Sequence, residues 1–296
     1  MRHTPDKILS FTAKDDRETG LLDFLFGVMP HLSKTTVKAL LKHRQVKVGM
    51  TVTSQFDYPV NPGDTVAVNT TREWPSLKGA RLKIVYEDND IIVVDKGYGL
   101  LSVGTDSMKE GTAYSMLRDY VKKSNPRNKI FIVHRLDQHT SGLMVFARTE
   151  EAKNALQHNW NNMVLERKYV ALVEGRPEQT SGEQRSYLQE NDQHIVYSSA
   201  KPSENGKLAV TRWRVLRSRQ GYSMLEVTLD TGRKNQIRVH MKDMGHPIAG
   251  DKKYGAKTSP IHRMALHAAT LRFVHPVTRK DMNFKSPLPP QFSKLV

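Results

Sequence analysis

The sequence predicts an α+β protein: a larger domain on a mixed, largely antiparallel sheet with flanking helices, preceded by a small α/β module. Three features of the chain predict it. Short apolar strands alternate with helical patterns from Lys83 onward, a helix–helix–strand pattern occupies the first 68 residues, and a polar, basic stretch over 69–82 lies between them. The expected organisation is a module over 1–68, a linker over 69–82 and a main domain over 83–296.

In the module, Leu21, Phe24, Leu25 and Val28 recur at helical spacing, and Pro30 stops that helix. Ser33 is placed to cap a second helix whose inward stripe is Val37, Leu40 and Leu41. Lys34, Lys38 and Lys42 stand at i, i+4 and i+8, so cations line another face. Val46 and Val48 alternate, Gly49 turns the chain, and Val52 opens a return strand. Asn61-Pro62-Gly63-Asp64 is a turn before a strand over 65–68. Trp74, Pro75, Ser76 and Gly79 mark the linker.

In the main domain, strands are expected over 83–86, 91–94, 130–133, 143–147, 168–173, 210–216 and 224–229. Ala152, Ala155 and Leu156 belong to a helix. A further helix over 234–244 has Ile237, Met241 and Met244 as its core stripe, with Arg238 beside it.

Composition narrows the function. Lys and Arg number 46 against 30 Asp and Glu, a net charge of +16 that favours a polyanion: RNA, DNA or an anionic membrane surface. No apolar run approaches a membrane span, and the polar N-terminus, residues 1–7, lacks a signal-peptide core. A cytoplasmic protein that does not enter membranes is expected, with nucleic acid as its polyanion. There is no cysteine, which removes disulfides, thiolate nucleophiles and Cys-ligated zinc. Zinc deamination and Cys-dependent methylation of uracil go with them. Gly97-Tyr98-Gly99 is too short for a dinucleotide fingerprint, and the 12 scattered histidines form no His-Glu-x-x-His helix. No metal and no cofactor are expected, and His240 and His267 read as structural.

The most informative segment is HRLDQHTSGLMVFART, His134 to Thr149. The apolar run Phe131, Ile132, Val133 enters a polar loop, and Ser141-Gly142 turns it into a second apolar strand. Asp137 thus sits in a strand-to-strand loop between two buried anchors. A lone loop aspartate is most often a turn or cap residue. The density of particular neighbours (His134, Arg135, Leu136, Thr140, Ser141 and Gly142) lifts Asp137 above that reading.

This pattern, His-Arg-Leu-Asp-x-x-Thr-Ser-Gly-Leu, is similar to the central motif of the RluA class of pseudouridine synthases; His134 stands where the related RsuA class usually has Gly. IIVVDKGYGLLSV from Ile91 resembles the family's first motif, and ERKYVALVEG from Glu166 its Tyr-bearing strand. TGRKNQIRVHMKDMGHPIAGDKKYG from Thr231 resembles its Arg-bearing helix, and MALHAATLRFVHP from Met264 its last motif. The first 68 residues, with LLKHRQVKVG from Leu40, resemble the small S-four-like RNA-binding module first known from a ribosomal small-subunit protein.

The resemblance implies isomerisation of uridine to pseudouridine in a structured RNA, with Asp137 as the essential carboxylate. Such a carboxylate can attack the sugar, add to the base or abstract a sugar proton, and the residue types accommodate all three. It implies Arg238 as the cation that keeps Asp137 ionised, Tyr169 as the ring stacked on the target uracil, and Leu266 as a buried contact to that base. Arg135 would hold a phosphate, fill the gap left in the RNA helix, or brace the loop. Arg233, Gln236, Lys34, Lys38 and Lys42 would contact RNA. Two positions depart from the pattern: Asn235 stands where the family often has His, and Met144 replaces the commoner Leu.

Ribosomal RNA, of the large subunit first, is the expected substrate, with transfer RNA as the alternative target. A monomer with no obligatory protein partner is expected. A non-catalytic RNA-binding ribosome-assembly factor is the rival from another class, though a pure binder needs none of Asp137, Tyr169 and Arg238. A nucleoside hydrolase would want a second carboxylate or a metal, and neither stands near Asp137 in sequence.

Overall fold

The computed structural model describes residues 7–14, 17–49, 51–71, 81–104 and 108–296. Trp74, Pro75, Ser76 and Gly79 of the expected linker lie outside the described residues, as do positions 1–6 of the N-terminus. The chain divides into two compact units. One comprises Met1–Lys78 with Tyr86–Asp88 and Asp119–Asn128; the other comprises Gly79–Val85, Asn89–Arg118 and Lys129–Val296.

The first unit contains β1 (Ile8–Thr12), β2 (Thr19–Gly20), α1 (Leu21–Val28), α2 (Lys34–Lys42), β3 (Val46–Val48), β4 (Thr51–Val52), β5 (Pro59–Val60) and β6 (Thr65–Asn69). Its sheet runs β1-β6-β3-β4, all antiparallel. Leu21 and Leu25 of α1 and Val37 and Leu41 of α2 are fully buried with Val46, Val60, Val66 and Val68. The Ser33 Oγ accepts the Thr36 backbone N–H at 3.1 Å, which caps α2 as its sequence position requires. Two boundaries need correction. Strand β1 was not foreseen, because Ser10 and Thr12 dilute its alternation, and β6 extends to Asn69, a residue assigned to the linker. Val28 also packs only partly against the core, with Leu21, Phe24 and Leu25 forming the buried stripe.

The other elements are β7 (Leu82–Glu87), β8 (Ile91–Lys96), α3 (Ala113–Ser124), β9 (Phe131–Ile132), β10 (Ser141–Ala147), α4 (Glu150–His158), α5 (Trp160–Met163), β11 (Val164–Glu174), β12 (Ser181–Glu190) and β13 (Val196–Ser199). They continue with β14 (Lys207–Arg219), β15 (Tyr222–Leu229), α6 (Gln236–Asp243), a short 3-10 turn (Lys252–Tyr254), β16 (Leu266–Val274), β17 (Asp281–Lys285) and α7 (Pro290–Leu295). The sheet order is β13-β12-β14-β15-β11-β16-β10-β8-β7, with β17 added to β16 and β9 to β10. The mixed, mostly antiparallel sheet expected from the sequence is therefore present. Every residue of β10 is buried, so this central strand reads as a continuous apolar run rather than an alternating one.

Two expectations about elements change. The strand foreseen over 130–133 is only the two-residue β9. The helix foreseen over 234–244 is α6, two residues later at its start and buried from Gln236 through Met241 on all sides. Its exposed residues, Lys242 and Asp243, lie in the last turn, so Arg238 stands in the buried stretch, and Met244 is only half-buried.

Register explains what the sheet holds together. Gly142 of β10 pairs with Lys96 of β8 on one side and, in a parallel step, with Ala268 of β16 on the other. Ala268 in turn pairs with Tyr169 of β11. One lateral row thus carries Lys96, Gly142, Ala268 and Tyr169 across four strands. Gly142 has φ +112°, and a Cβ there would lie 2.2 Å from the Ala268 carbonyl oxygen. No other residue permits both that conformation and that approach.

Candidate active site

The loop that carries Asp137 is fastened at nearly every step. The His134 ring Nε2 accepts the Val145 backbone N–H at 3.0 Å and lies against Trp160, with ring centroids 4.8 Å apart. Burial, reinforced by Arg167, pushes its pKa down to about 3, so this histidine is a neutral brace. The Ser102 Oγ donates to the Leu136 carbonyl at 2.6 Å and accepts the Leu136 N–H at 3.2 Å. The Gln138 carbonyl accepts the Lys96 ammonium at 3.2 Å and the Gly99 N–H at 3.0 Å. Both neighbours of Asp137 are therefore held through their backbones. On the far side the Ser141 Oγ meets Arg263 at 2.7 Å and the His267 Nδ1 at 2.9 Å.

Asp137 keeps part of its side chain open to a cleft and accepts the Arg238 Nη1 at 3.3 Å through Oδ2. That contact is long. The main partner of Arg238 is Asp251, bound in a fork at 2.7 Å through Nε and 2.8 Å through Nη2. Asn235 Oδ1 accepts Nη1 at 3.1 Å, and the guanidinium lies 4.7 Å from the centre of the Tyr254 ring. Burial alone would lower the pKa of Arg238, but Asp251 and Asp137 outweigh it and the net direction is upward. Arg238 is thus a fixed cation, oriented by Asp251 and offering one remaining edge to Asp137.

Asn235 completes this arrangement. It starts α6 in the left-handed conformation, φ 54°, which Asn and His tolerate better than most residues. Its amide Nδ2 donates to the Tyr254 hydroxyl at 2.8 Å while its Oδ1 faces Arg238. Gly250, at φ +82° and with no room for a Cβ beside the Arg263 carbonyl, delivers Asp251 into this group.

A cleft with about 370 Å³ of empty space is lined by Asp137, Tyr169, Arg238, Arg135, Arg233, Gln236 and Leu266, so the structure gathers seven of the sequence-derived residues. Leu136, Thr140, Ile237 and Leu229 also line it. Burial raises the Tyr169 phenol, with Arg167 opposing and Asp137 adding to the rise, so the hydroxyl is protonated near neutral pH. Arg135 is exposed at the rim, and among the described residues no hydrogen bond or ion pair holds it. Arg233 is exposed too, with its Nε on the Leu208 carbonyl at 3.0 Å.

Gln236 is a correction. Its Nε2 donates to the Val210 carbonyl and the Thr211 hydroxyl, while its Oε1 accepts from Thr231 and the Arg233 N–H. It is 2% exposed with every polar atom taken, so it builds the loop rather than contacting RNA. His240 joins Ser186 to Thr211 by its two ring nitrogens, and His267 meets Ser141, structural positions both. Lys34, Lys38 and Lys42 are exposed along α2 of the first unit, with Lys34 5.8 Å from the centre of the Phe26 ring.

Lys96 and Asp251 were missed by sequence reasoning. Lys96 is fully buried, and its ammonium donates to the carbonyls of Gly97, Leu100 and Gln138. Desolvation drives its pKa down to about 7, against a smaller upward pull from Asp137. The signals were faint: a Lys directly after an apolar strand, and an Asp after a Gly in the segment following α6.

Taken together, the cleft offers a restrained carboxylate beside a fixed guanidinium, an aromatic ring, apolar walls and a cationic rim. The chain matches the family model described as RNA pseudouridylate synthase over residues 90–243. It is 34% identical to the uncharacterized RNA pseudouridine synthase YlyB of Bacillus subtilis over 97% of each chain. It is 30% identical to the ribosomal large subunit pseudouridine synthase D of Escherichia coli K12, over 92% of this chain and 88% of that one. Among solved structures it is similar to human RNA pseudouridylate synthase domain containing 4, with 25% identity and a TM-score of 0.58 over 71% of this chain and 90% of that one.

Proposed function

The chain belongs to the RNA pseudouridylate synthase family and is an RNA pseudouridine synthase, and on that premise we propose that it modifies ribosomal RNA, with Asp137 as its essential carboxylate. The observation that carries the reading is the pairing of Asp137 with Arg238 at the wall of a cleft that also presents Tyr169 and Leu266. The reaction breaks the bond between uracil N1 and the ribose anomeric carbon, turns the base, and forms a bond from C5. The C5 proton leaves and N1 takes one up, so atoms and electrons balance within the nucleotide and no cofactor is needed. Such chemistry requires a group that meets an electron-deficient sugar and a pocket that retains the freed base. In this reading Asp137 supplies the first, while Tyr169 and Leu266 grip the uracil after it leaves its stack. Arg238 faces Asp137 and aims it, and Arg135 at the rim meets phosphate or the space the uridine vacates.

The first unit, in this proposal, is an S-four-like RNA-binding module using Lys34, Lys38 and Lys42, and the protein works in the cytoplasm as a monomer. Large-subunit RNA is the favoured substrate because the similar Escherichia coli protein bears that name over most of its length. The test maps pseudouridine in total RNA from cells with the gene, without it, and with Asp137→Asn restored. A ribosomal uridine should lose modification on deletion and regain it only with the unaltered gene. Appearance of the missing site in transfer RNA would overturn the substrate, and full modification by Asp137→Asn would overturn the residue.

A further inference from the structure

A second cleft, with about 1010 Å³ of empty space, adjoins the first and shares Arg135, Asp137, Asn235 and Arg238 with it. Its walls differ in kind. Tyr98 and His139 form a ring pair with centroids 5.2 Å apart, and Lys234, Lys252 and Lys253 contribute cations. His139 is exposed although it stands only two residues from Asp137, and Tyr98 is half-buried. Arg263 lies 4.6 Å from the centre of the Tyr98 ring and also bonds Ser141, so the pair is tied to the Asp137 loop.

A His–Tyr pair at the wall of an open cleft, with the His exposed, is a platform for a planar ring. Desolvation lowers the pKa of His139, helped by Arg238 and Lys96, so the imidazole is neutral at physiological pH. The nearby cations are unequal. Lys234 is bonded to Glu190 and Lys253 to the His194 carbonyl, whereas Lys252 is exposed and, among the described residues, has no partner. Of the two acids of this cleft, Asp251 is committed to Arg238 and Asp137 also faces Arg238. Aromatic surface, its two rings tilted 36° to one another, beside an uncommitted ammonium matches a nucleotide: base against the rings, phosphate on the lysine.

We infer that this cleft binds the nucleotide next to the target in the RNA chain, its base stacked on His139 and Tyr98 and its phosphate on Lys252. The inference rests on reading the first cleft as the uridine pocket, since shared walls put the second within one nucleotide of it. Target choice would then depend on an unstacked neighbour as well as on the uridine itself.

The experiment uses a stem–loop transcript containing whichever uridine the mapping identifies, so a transfer RNA target would overturn the ribosomal reading and leave this test intact. Abasic residues replace the 5′ or the 3′ neighbour, and steady-state constants are measured for the full-length enzyme and for His139→Ala and His139→Phe. In the unaltered enzyme one of the two abasic transcripts should raise KM roughly 5- to 100-fold, the range of one base–aromatic stack, with kcat changed less than about twofold. His139→Ala should show that raised KM on the intact transcript and no further rise on the abasic one. His139→Phe should restore the difference. If neither abasic transcript raises KM, or the abasic penalty is the same in His139→Ala, the inference is wrong.

Discussion

Arg238 and Lys96 are both buried cations that feel the charge of Asp137, yet they are held in opposite ways. Arg238 is forked onto Asp251 and touches Asp137, so carboxylates compensate its burial and its pKa moves upward. Among the described residues Lys96 donates only to backbone carbonyls, and desolvation brings its pKa to about 7. The difference teaches that one site can hold a permanent charge and a conditional one within the same loop environment. Carbonyl dipoles can orient an ammonium without keeping it protonated, whereas a second carboxylate fixes a guanidinium and its charge together.

The largest effect expected comes from removing the permanent charge. Arg238→Met should lower kcat by more than about 100-fold, since Asp137 loses its counter-charge and Asp251 loses its only forked partner. Leaving Asp251 buried and unpaired should also cost about 3–5 kcal/mol of stability, which thermal unfolding will register. Arg238→Lys should fall between, because the ammonium cannot reproduce the fork. Near-normal turnover in both variants would erase the distinction drawn between the two cations.

The conditional charge makes a prediction about pH. Between about pH 7 and its ordinary value of 10.5, Lys96 is neutral in the folded protein and protonated in the unfolded chain. The unfolded state then binds more protons, so folding stability should rise with pH across that window, by at most about 1.4 kcal/mol per unit. Below pH 7 both states are protonated and the slope should vanish. Subtracting the stability–pH curve of Lys96→Met, measured by urea unfolding, should isolate this rise. Parallel curves would mean that the ammonium is charged in the fold after all.

Tyr169 sharpens the comparison because its proposed role is stacking rather than charge. Tyr169→Ala should weaken RNA binding by roughly 1–3 kcal/mol, the value of one stacked base, while Tyr169→Phe should bind normally and slow only the step that loses the C5 proton. Equal binding by all three proteins would leave the ring a packing element. The smallest effect belongs to the exposed cations of the first unit. Replacing Lys34, Lys38 and Lys42 together by Gln should flatten the slope of log affinity against log salt by about two to three, at about 0.7 to 0.9 for each phosphate contact. An unchanged slope would make them a solvated helix face.

The sequence disclosed the site where chemistry and local pattern coincided. Asp137, Tyr169, Arg238 and Leu266 lie in dense motifs, and all four line one cleft. Polar residues whose role depends on distant chain were harder. Gln236 resembled an exposed RNA contact because nothing local reveals that Val210, Thr211 and Thr231 consume its amide. Lys96 was passed over because the carbonyls that enclose it come from a turn and from a loop more than forty positions away. Strand β12 was invisible for another reason: its outward positions are Glu183 and Arg185, and only Ser186 and Leu188 are buried. Asp251 follows a left-handed glycine, where a turn role is the ordinary reading, and its partner is 13 residues earlier.

The loop from His134 to Gly142 has a division of labour that bears on how such an enzyme could be redirected. Leu136, Thr140, Ser141 and Gly142 are buried, and His134 is spent on a backbone bond, while Arg135, Gln138 and His139 are exposed. Scaffold and display positions are interleaved in nine consecutive residues, with Asp137 among them. A library that randomises only the three exposed positions would keep the backbone anchors of the carboxylate and give up one side-chain bond, from Gln138 Nε2 to the Gly99 carbonyl at 3.3 Å. Insertions there would not have that freedom, because the Ser102 and Lys96 attachments on either side of Asp137 fix the length of chain between them. Retargeting by substitution and retargeting by loop grafting should therefore have very different survival rates in a selection, with the substitutions yielding folded catalysts and the grafts yielding few.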